Sequence, residues 1–206
     1  MTRLALIGDS IAWGQGAARE EERLAARLVR GLADHGVEAT ARVFAVRGAR
    51  SAGLAAQVER ATRWPPDVAV VVVGANDLTH LVPVADATAA LRDAVRRLRA
   101  VDAEVVVAPA PDLSSVPHVP PAMRTAVRAA SEELRRHQVA ATTALGARVG
   151  DADGRTGRAF DEDPSLFSSD RFHPSSAGYA VIASALLPEV LAAAVGAGGQ
   201  ASRSLA

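Results

Sequence analysis

The sequence predicts an α/β domain built on a mainly parallel sheet, and three observations lead there. Short apolar runs alternate with longer Ala/Leu/Arg-rich segments along the chain. The short runs are nearly continuous in apolar residues, the pattern of strands covered on both faces. The long segments carry apolar residues at helical spacing. Strands alternating with helices in this way build βαβ units with right-handed crossovers.

Taken in order, RLALIG (3–8) reads as the first strand and stops at Gly8. A helix follows over 17–34, where Leu24, Leu28 and Leu32 repeat every fourth residue. EATARVFAV (38–46) alternates more than the other runs and is expected nearer a sheet edge. The helix over 51–62 is ended by Trp64-Pro65-Pro66, because proline cannot continue the hydrogen-bond ladder. DVAVVVVG (67–74) and AEVVVAPA (103–110) read as buried strands. Between them lies a helix over 84–100 whose Leu91, Val95 and Leu98 form one stripe. A helix over 121–145, a short fifth strand near 147–152 and a last helix over 175–194 complete the pattern. VGAGGQASRSLA (195–206) reads as a flexible tail, which leaves a single domain over 1–194.

Composition removes several classes of function. The formal net charge is zero, whereas nucleic-acid binders carry a basic excess. All 23 basic residues are arginine, so Schiff-base lysine chemistry and a P-loop lysine are impossible. The absence of cysteine excludes disulfides, thiol catalysis and cysteine-ligated zinc. No run of about 18 uninterrupted apolar residues occurs and the N-terminus lacks a signal-peptide pattern, so a cytoplasmic protein without a membrane span is expected. Nothing in the sequence speaks to oligomeric state.

In open parallel sheets, ligands bind beyond the carboxyl ends of the strands, so the residues after each strand belong together. The first strand is followed by Gly8-Asp9-Ser10, the second by Gly48, the third by Gly74-Ala75-Asn76-Asp77 and the fourth by a proline-rich loop. Asp170 and His173 precede the last helix. Singly, these residues make turns and helix caps. Together they put a hydroxyl, an amide, a glycine N–H, an imidazole and a carboxylate on one rim, which is the equipment of acyl transfer. A serine hydroxyl needs a base. A neutral imidazole, with an ordinary pKa of about 6.5, serves as one. A carboxylate must hold that imidazole in one tautomer, and Asp170 lies within one turn of His173. Backbone N–H groups of Ser10 and Gly48 and the Asn76 side chain are candidate donors to an oxyanion.

These blocks, GDS, a glycine after the second strand, GAND and DRFHP, stand in order over residues 8–174 and resemble those of the SGNH (GDSL-type) hydrolases. The resemblance implies a flavodoxin-like three-layer α/β/α sandwich with a five-stranded parallel sheet. It implies Ser10 as nucleophile, His173 as base and Asp170 as its partner. It carries over Ser10 N–H, Gly48 N–H and Asn76 Nδ2 as the oxyanion hole, and it implies neither a metal nor an organic cofactor. One block departs from the pattern: Arg47 and Arg50 flank Gly48 where the family has small or polar residues. The arrangement differs from the α/β-hydrolases, which use a G-x-S-x-G elbow.

Other residues near the blocks are candidate substrate contacts. Trp13, three residues past Ser10, could wall a pocket or fill the core. Arg47 and Arg50 could be solvated charges or could grip an anionic or polar group. His118, in the proline-rich loop over 109–121, could belong to a lid or substrate wall. His80 could border the crevice, while His35 and His137 read as surface residues. DADGRTGRAFDE (151–162) imitates a calcium loop but has glycine at the wrong position. The sequence therefore points to hydrolysis of a small or medium carboxylic ester, with a small-molecule partner. An acyltransferase or deacylase acting on a sugar or natural-product hydroxyl would use the same rim residues. A catalytically silent binding module would show loss of one of them, and none is lost.

Overall fold

Five strands, β1 (Thr2–Gly8), β2 (Ala39–Val43), β3 (Val68–Val72), β4 (Glu104–Ala108) and β5 (Arg148–Val149), pair in parallel in the order β2-β1-β3-β4-β5. The computed structural model describes residues 1–203, with side-chain surroundings through 198. Eight helices lie among the described residues: α1 (Ser10–Trp13), α2 (Leu24–Asp34), α3 (Leu54–Thr62), α4 (Ala75–Thr79), α5 (Val84–Arg99), α6 (Arg124–Ala144), α7 (Arg155–Glu162) and α8 (Ser176–Arg203).

The period of two along the strands divides the core into two layers. Leu4, Leu6, Val68, Val70 and Val106 face α2 and α8 and pack with Leu28, Tyr179 and Leu186. Ala5, Ile7, Ala69, Val71 and Val107 face the other way and pack with Leu54 and Val58 of α3 and Leu91 and Val95 of α5. This is the expected α/β/α sandwich. Leu28 and Leu91 are fully buried. Truncation of either to alanine costs about 2–5 kcal/mol. The second strand takes the edge, as its looser pattern predicts, and its residues are only half-buried or exposed.

Three elements differ from the sequence expectation. The helix expected from 17 begins at Leu24; ahead of it Glu20–Glu22 form a single 3-10 turn, with Arg19 paired to Glu22 and Arg23 to Glu20. The stretch resembling a calcium loop folds as α7 and buries Phe160. The last helix does not end at 194 but continues to Arg203, through a glycine-containing stretch whose propensity for helix is low. The tail expected over 195–206 is thus helical as far as Arg203, and 204–206 lie outside the described residues. By length and composition alone, Ser176–Gly198 is apolar enough to cross a membrane, although Ser184 and Glu189 interrupt it. In the fold its Tyr179, Leu186 and Val190 are core residues.

The chain runs from β1 outward to β2 and then crosses back to β3, so the strand order reverses between β1 and β3. A crevice opens at such a switch point. Gly8 ends β1 there at φ 136°, and a Cβ on it would lie 1.8 Å from the Val72 carbonyl oxygen of β3. Only glycine lets the two strand ends close up, and the Asp9 N–H then donates to that carbonyl at 3.0 Å.

Candidate active site

Ser10 is the first residue of α1, carried directly on the end of β1. Asp9 caps the helix, its Oδ1 accepting from the Ile11 N–H at 2.9 Å. Both residues are buried, Asp9 completely. The second oxygen of Asp9 has no partner. Burial pushes the Asp9 carboxyl up to about 7, against the opposing Ile11 hydrogen bond, and the nearby Asp77 adds to the rise.

Asp170 and His173 lie on a loop pinched by an antiparallel bridge between Phe167 and Pro174. The Ser168 N–H donates to the His173 carbonyl at 2.7 Å across the same neck. Asp170 Oδ1 accepts from the Ser168 hydroxyl and from the N–H groups of Phe172 and His173 at 2.8–2.9 Å. Its Oδ2 meets His173 Nδ1 at 2.6 Å. Partial burial raises the carboxyl, but these hydrogen bonds, that of the His173 ring foremost, outweigh it and hold Asp170 well below the usual carboxylate range. An ionised Asp170 accepts the Nδ1 proton of a neutral ring, which leaves the Nε2 lone pair free. That nitrogen lies 3.0 Å from Ser10 Oγ, so the serine hydroxyl donates to it. The three side chains expected to act together therefore form one continuous relay.

The other two rim blocks are joined to each other. Asn76 Nδ2 donates to the Ala49 carbonyl at 3.1 Å and has a second N–H to offer. Gly48 occupies the left-handed region at φ 75°, and the space a Cβ would enter is open. Asp77, buried behind them, accepts from the Ser51 N–H and from its hydroxyl at 2.8 Å. These bonds fix the Gly48 turn against α4.

A cleft of about 360 Å3 begins at Ser10 and His173. Its inner wall is apolar, with Val72, Ala108, Leu113, Phe160, Phe172 and Ile182. At its far end, Arg128 of α6 reaches Asp112 of the 109–121 loop at 3.3 Å and Asp161 of α7 at 3.1 Å. Trp13, Arg47 and His118 are not among the cleft's lining residues. Trp13 packs against the core, with the guanidinium groups of Arg23 and Arg47 over its ring at 4.4 and 5.0 Å. His118 Nε2 donates to the backbone carbonyl of Asp170 at 2.9 Å, tying the proline-rich loop to the acid–base loop.

Sequence reasoning missed two buried glutamines that hold the strand ends. Gln57 of α3 accepts from the Gly8 N–H at 2.7 Å and donates to the Gly8 carbonyl at 2.9 Å. Gln138 of α6 accepts from the Ala110 N–H at 2.7 Å and donates to the Val73 carbonyl at 3.2 Å. A signal was present: Gln57 shares the apolar stripe of Leu54, Val58 and Ala61, where a polar residue needs a buried partner.

The comparisons follow this geometry. The model of the GDSL-like lipase/acylhydrolase family matches residues 6–181. The chain belongs to that family. A GDSL-like esterase of Mycobacterium tuberculosis is 37% identical over 187 residues, which cover 89% of this chain and 60% of that protein. The chain thus spans about 60% of the length of this curated relative. Among solved structures, an acetylxylan esterase from Geobacillus stearothermophilus superimposes with a TM-score of 0.72 at 22% identity, covering 92% of this chain and 94% of that one. An α/β hydrolase enzyme from the metagenome of Lake Arreo, Spain, gives 0.71 at 20% identity, covering 94% and 95%. At those identities the likeness is one of fold, and the GDSL-like chain shares its five-stranded parallel sheet and flanking helices with both.

Proposed function

We propose that this GDSL-family chain is a serine ester hydrolase, with Ser10 as nucleophile, His173 as general base and Asp170 as the group that orients it. The observation that carries the reading is the unbroken relay from the Asp170 carboxylate through His173 to Ser10, opening on an apolar cleft. Ser10 Oγ attacks the ester carbonyl while its proton passes to His173 Nε2. The oxyanion meets the N–H groups of Ser10 and Gly48 and the Asn76 amide, each donor worth about 10²–10³ in rate. Collapse expels the alcohol, which takes the proton from His173. Water, deprotonated by the same nitrogen, then cleaves the acyl-enzyme and regenerates Ser10.

The acyl chain occupies the cleft. The cleft's apolar inner wall suits a hydrocarbon acyl chain. The name of the mycobacterial relative, a GDSL-like esterase, agrees with hydrolysis of a carboxylic ester. Hydrolysis of p-nitrophenyl esters from acetyl to dodecanoyl, with Ser10→Ala alongside, tests the reading. We expect a rate that depends on Ser10 and peaks at a chain of intermediate length. Retention of more than a few per cent of the rate in Ser10→Ala removes the nucleophile from this assignment.

A further inference from the structure

We infer that the alcohol part of the ester carries an anionic group, a carboxylate or a phosphate, received by Arg47, Arg50 and Arg171. This rests on the ester-hydrolase reading, which places the acyl chain in the cleft and leaves the alcohol outside it.

The charges on the rim are one-sided, although the whole chain is balanced at 23 basic and 23 acidic residues. Arg47 and Arg50 are exposed on the turn that presents Gly48, and Arg171 is exposed on the loop that presents His173. Among the described residues, none of the three forms an ion pair. Other exposed arginines, Arg30 and Arg92 among them, are also without an ion pair, so what sets these three apart is their place in the chain, beside Gly48 and between Asp170 and His173. The carboxylates of the same rim are all committed. Asp9 and Asp77 are buried, and Asp170 is filled by its own loop and His173.

Local structure holds the arginines outward. Arg47 lies over the Trp13 ring, three residues from Ser10 in the same short helix. The aromatic face holds the guanidinium without consuming its N–H donors. The space in front of Gly48 is open. Arg171 adopts φ 57°, a left-handed conformation that arginine rarely takes, held by its N–H bond to the Ser168 carbonyl at 2.8 Å. Guanidinium groups grip carboxylate and phosphate oxygens through paired N–H donors. None of the three arginines is among the residues that line the apolar cleft, so anion recognition uses groups distinct from the acyl wall.

The test compares octanoyl esters of phenol, 3-hydroxybenzoate and 3-hydroxyphenyl phosphate. At low salt we expect kcat/KM for the anionic esters to exceed that for the phenyl ester by about tenfold, since charge-assisted hydrogen bonds to guanidinium groups are stronger than neutral ones. The ratio should fall towards one at high salt. It should fall likewise in the triple variant Arg47→Gln, Arg50→Gln, Arg171→Asn, in which asparagine keeps the left-handed backbone. Equal or better use of the phenyl ester, or a preference that survives the triple variant, overturns the inference. Calorimetry on Ser10→Ala with 3-hydroxybenzoate, 3-hydroxyphenyl phosphate and phenol separates it from the hydrolase reading. If no ester is turned over, that reading falls and calorimetry alone decides. Anion binding lost in the triple variant supports the rim as the anion site, and no preference over phenol overturns it.

Discussion

The end of β1 and the loop over 168–173 each bring a carboxylate beside Ser10, and they treat it in opposite ways. Asp9 is enclosed, half-satisfied and raised to about 7. Asp170 is nearly half exposed, fully hydrogen-bonded and held low. The first region is scaffold. It fixes where Ser10 stands by strand pairing, the Gln57 clamp and the close contact of Gly8 with Val72. The second is reactive loop, where hydrogen bonds to an ionised carboxylate set the tautomer of His173. Placement of the nucleophile depends on burial, which costs solvation, whereas preparation of the base depends on a charge that water still reaches.

The largest expected effect sharpens this division. Asp170→Asn should lower kcat by about 10³–10⁴, because an amide no longer enforces the useful tautomer. The thermal unfolding temperature at neutral pH should fall as well, because the ionised carboxylate stabilises the folded loop there, and the difference from wild type should vanish in strong acid. Gln57→Leu should act on stability and leave the His173 tautomer untouched. It removes the partner of the buried Gly8 N–H, at about 1–3 kcal/mol, while the Gly8 carbonyl keeps the Val46 N–H, and denaturant unfolding reads the loss directly.

The next effect separates the carboxylates by pH. Between about 4, the value in an unfolded chain, and about 7, native Asp9 holds a proton that the unfolded chain has released. Its contribution to stability therefore falls as pH rises through that window. Asp9→Asn should flatten the slope, on the order of a few kcal/mol across the range, in denaturant curves taken from pH 4 to 8. Asp170 has the opposite sign: its contribution is complete above the ordinary carboxylate value and is lost only in stronger acid. The smallest effect belongs to His118. Its alanine variant should lower kcat a few-fold by loosening the Asp170 backbone, on the scale of one hydrogen bond, and glutamine, which can still donate, should restore part of it.

The two regions were unequally legible in the sequence. Ser10, Gly48, Asn76, Asp170 and His173 stood out because strands in a parallel sheet deliver their ends to one rim. The order of the blocks then named the family. Gln57 and Gln138 did not stand out as strand clamps, because their partners lie 49 and 28 residues away and exist only after packing. Arg23 over Trp13 and His118 on Asp170 are likewise tertiary facts. The helix α7 was hidden by charge, since one buried phenylalanine is too little periodicity to announce a helix.

Every bond that orients His173 towards Asp170 is made within residues 168–173. The acid and base are thus a short cassette whose orienting hydrogen bonds are internal, while the serine must be delivered from a distant strand. The 109–121 loop meets this cassette only from outside those bonds, through His118 on a backbone carbonyl and through the apolar cluster of Leu113 and Val116 that Phe172 joins. Changes in the cleft walls that keep these contacts can therefore accumulate without retuning the imidazole. A fold wired in this way can change the esters it accepts faster than it can change the chemistry it performs.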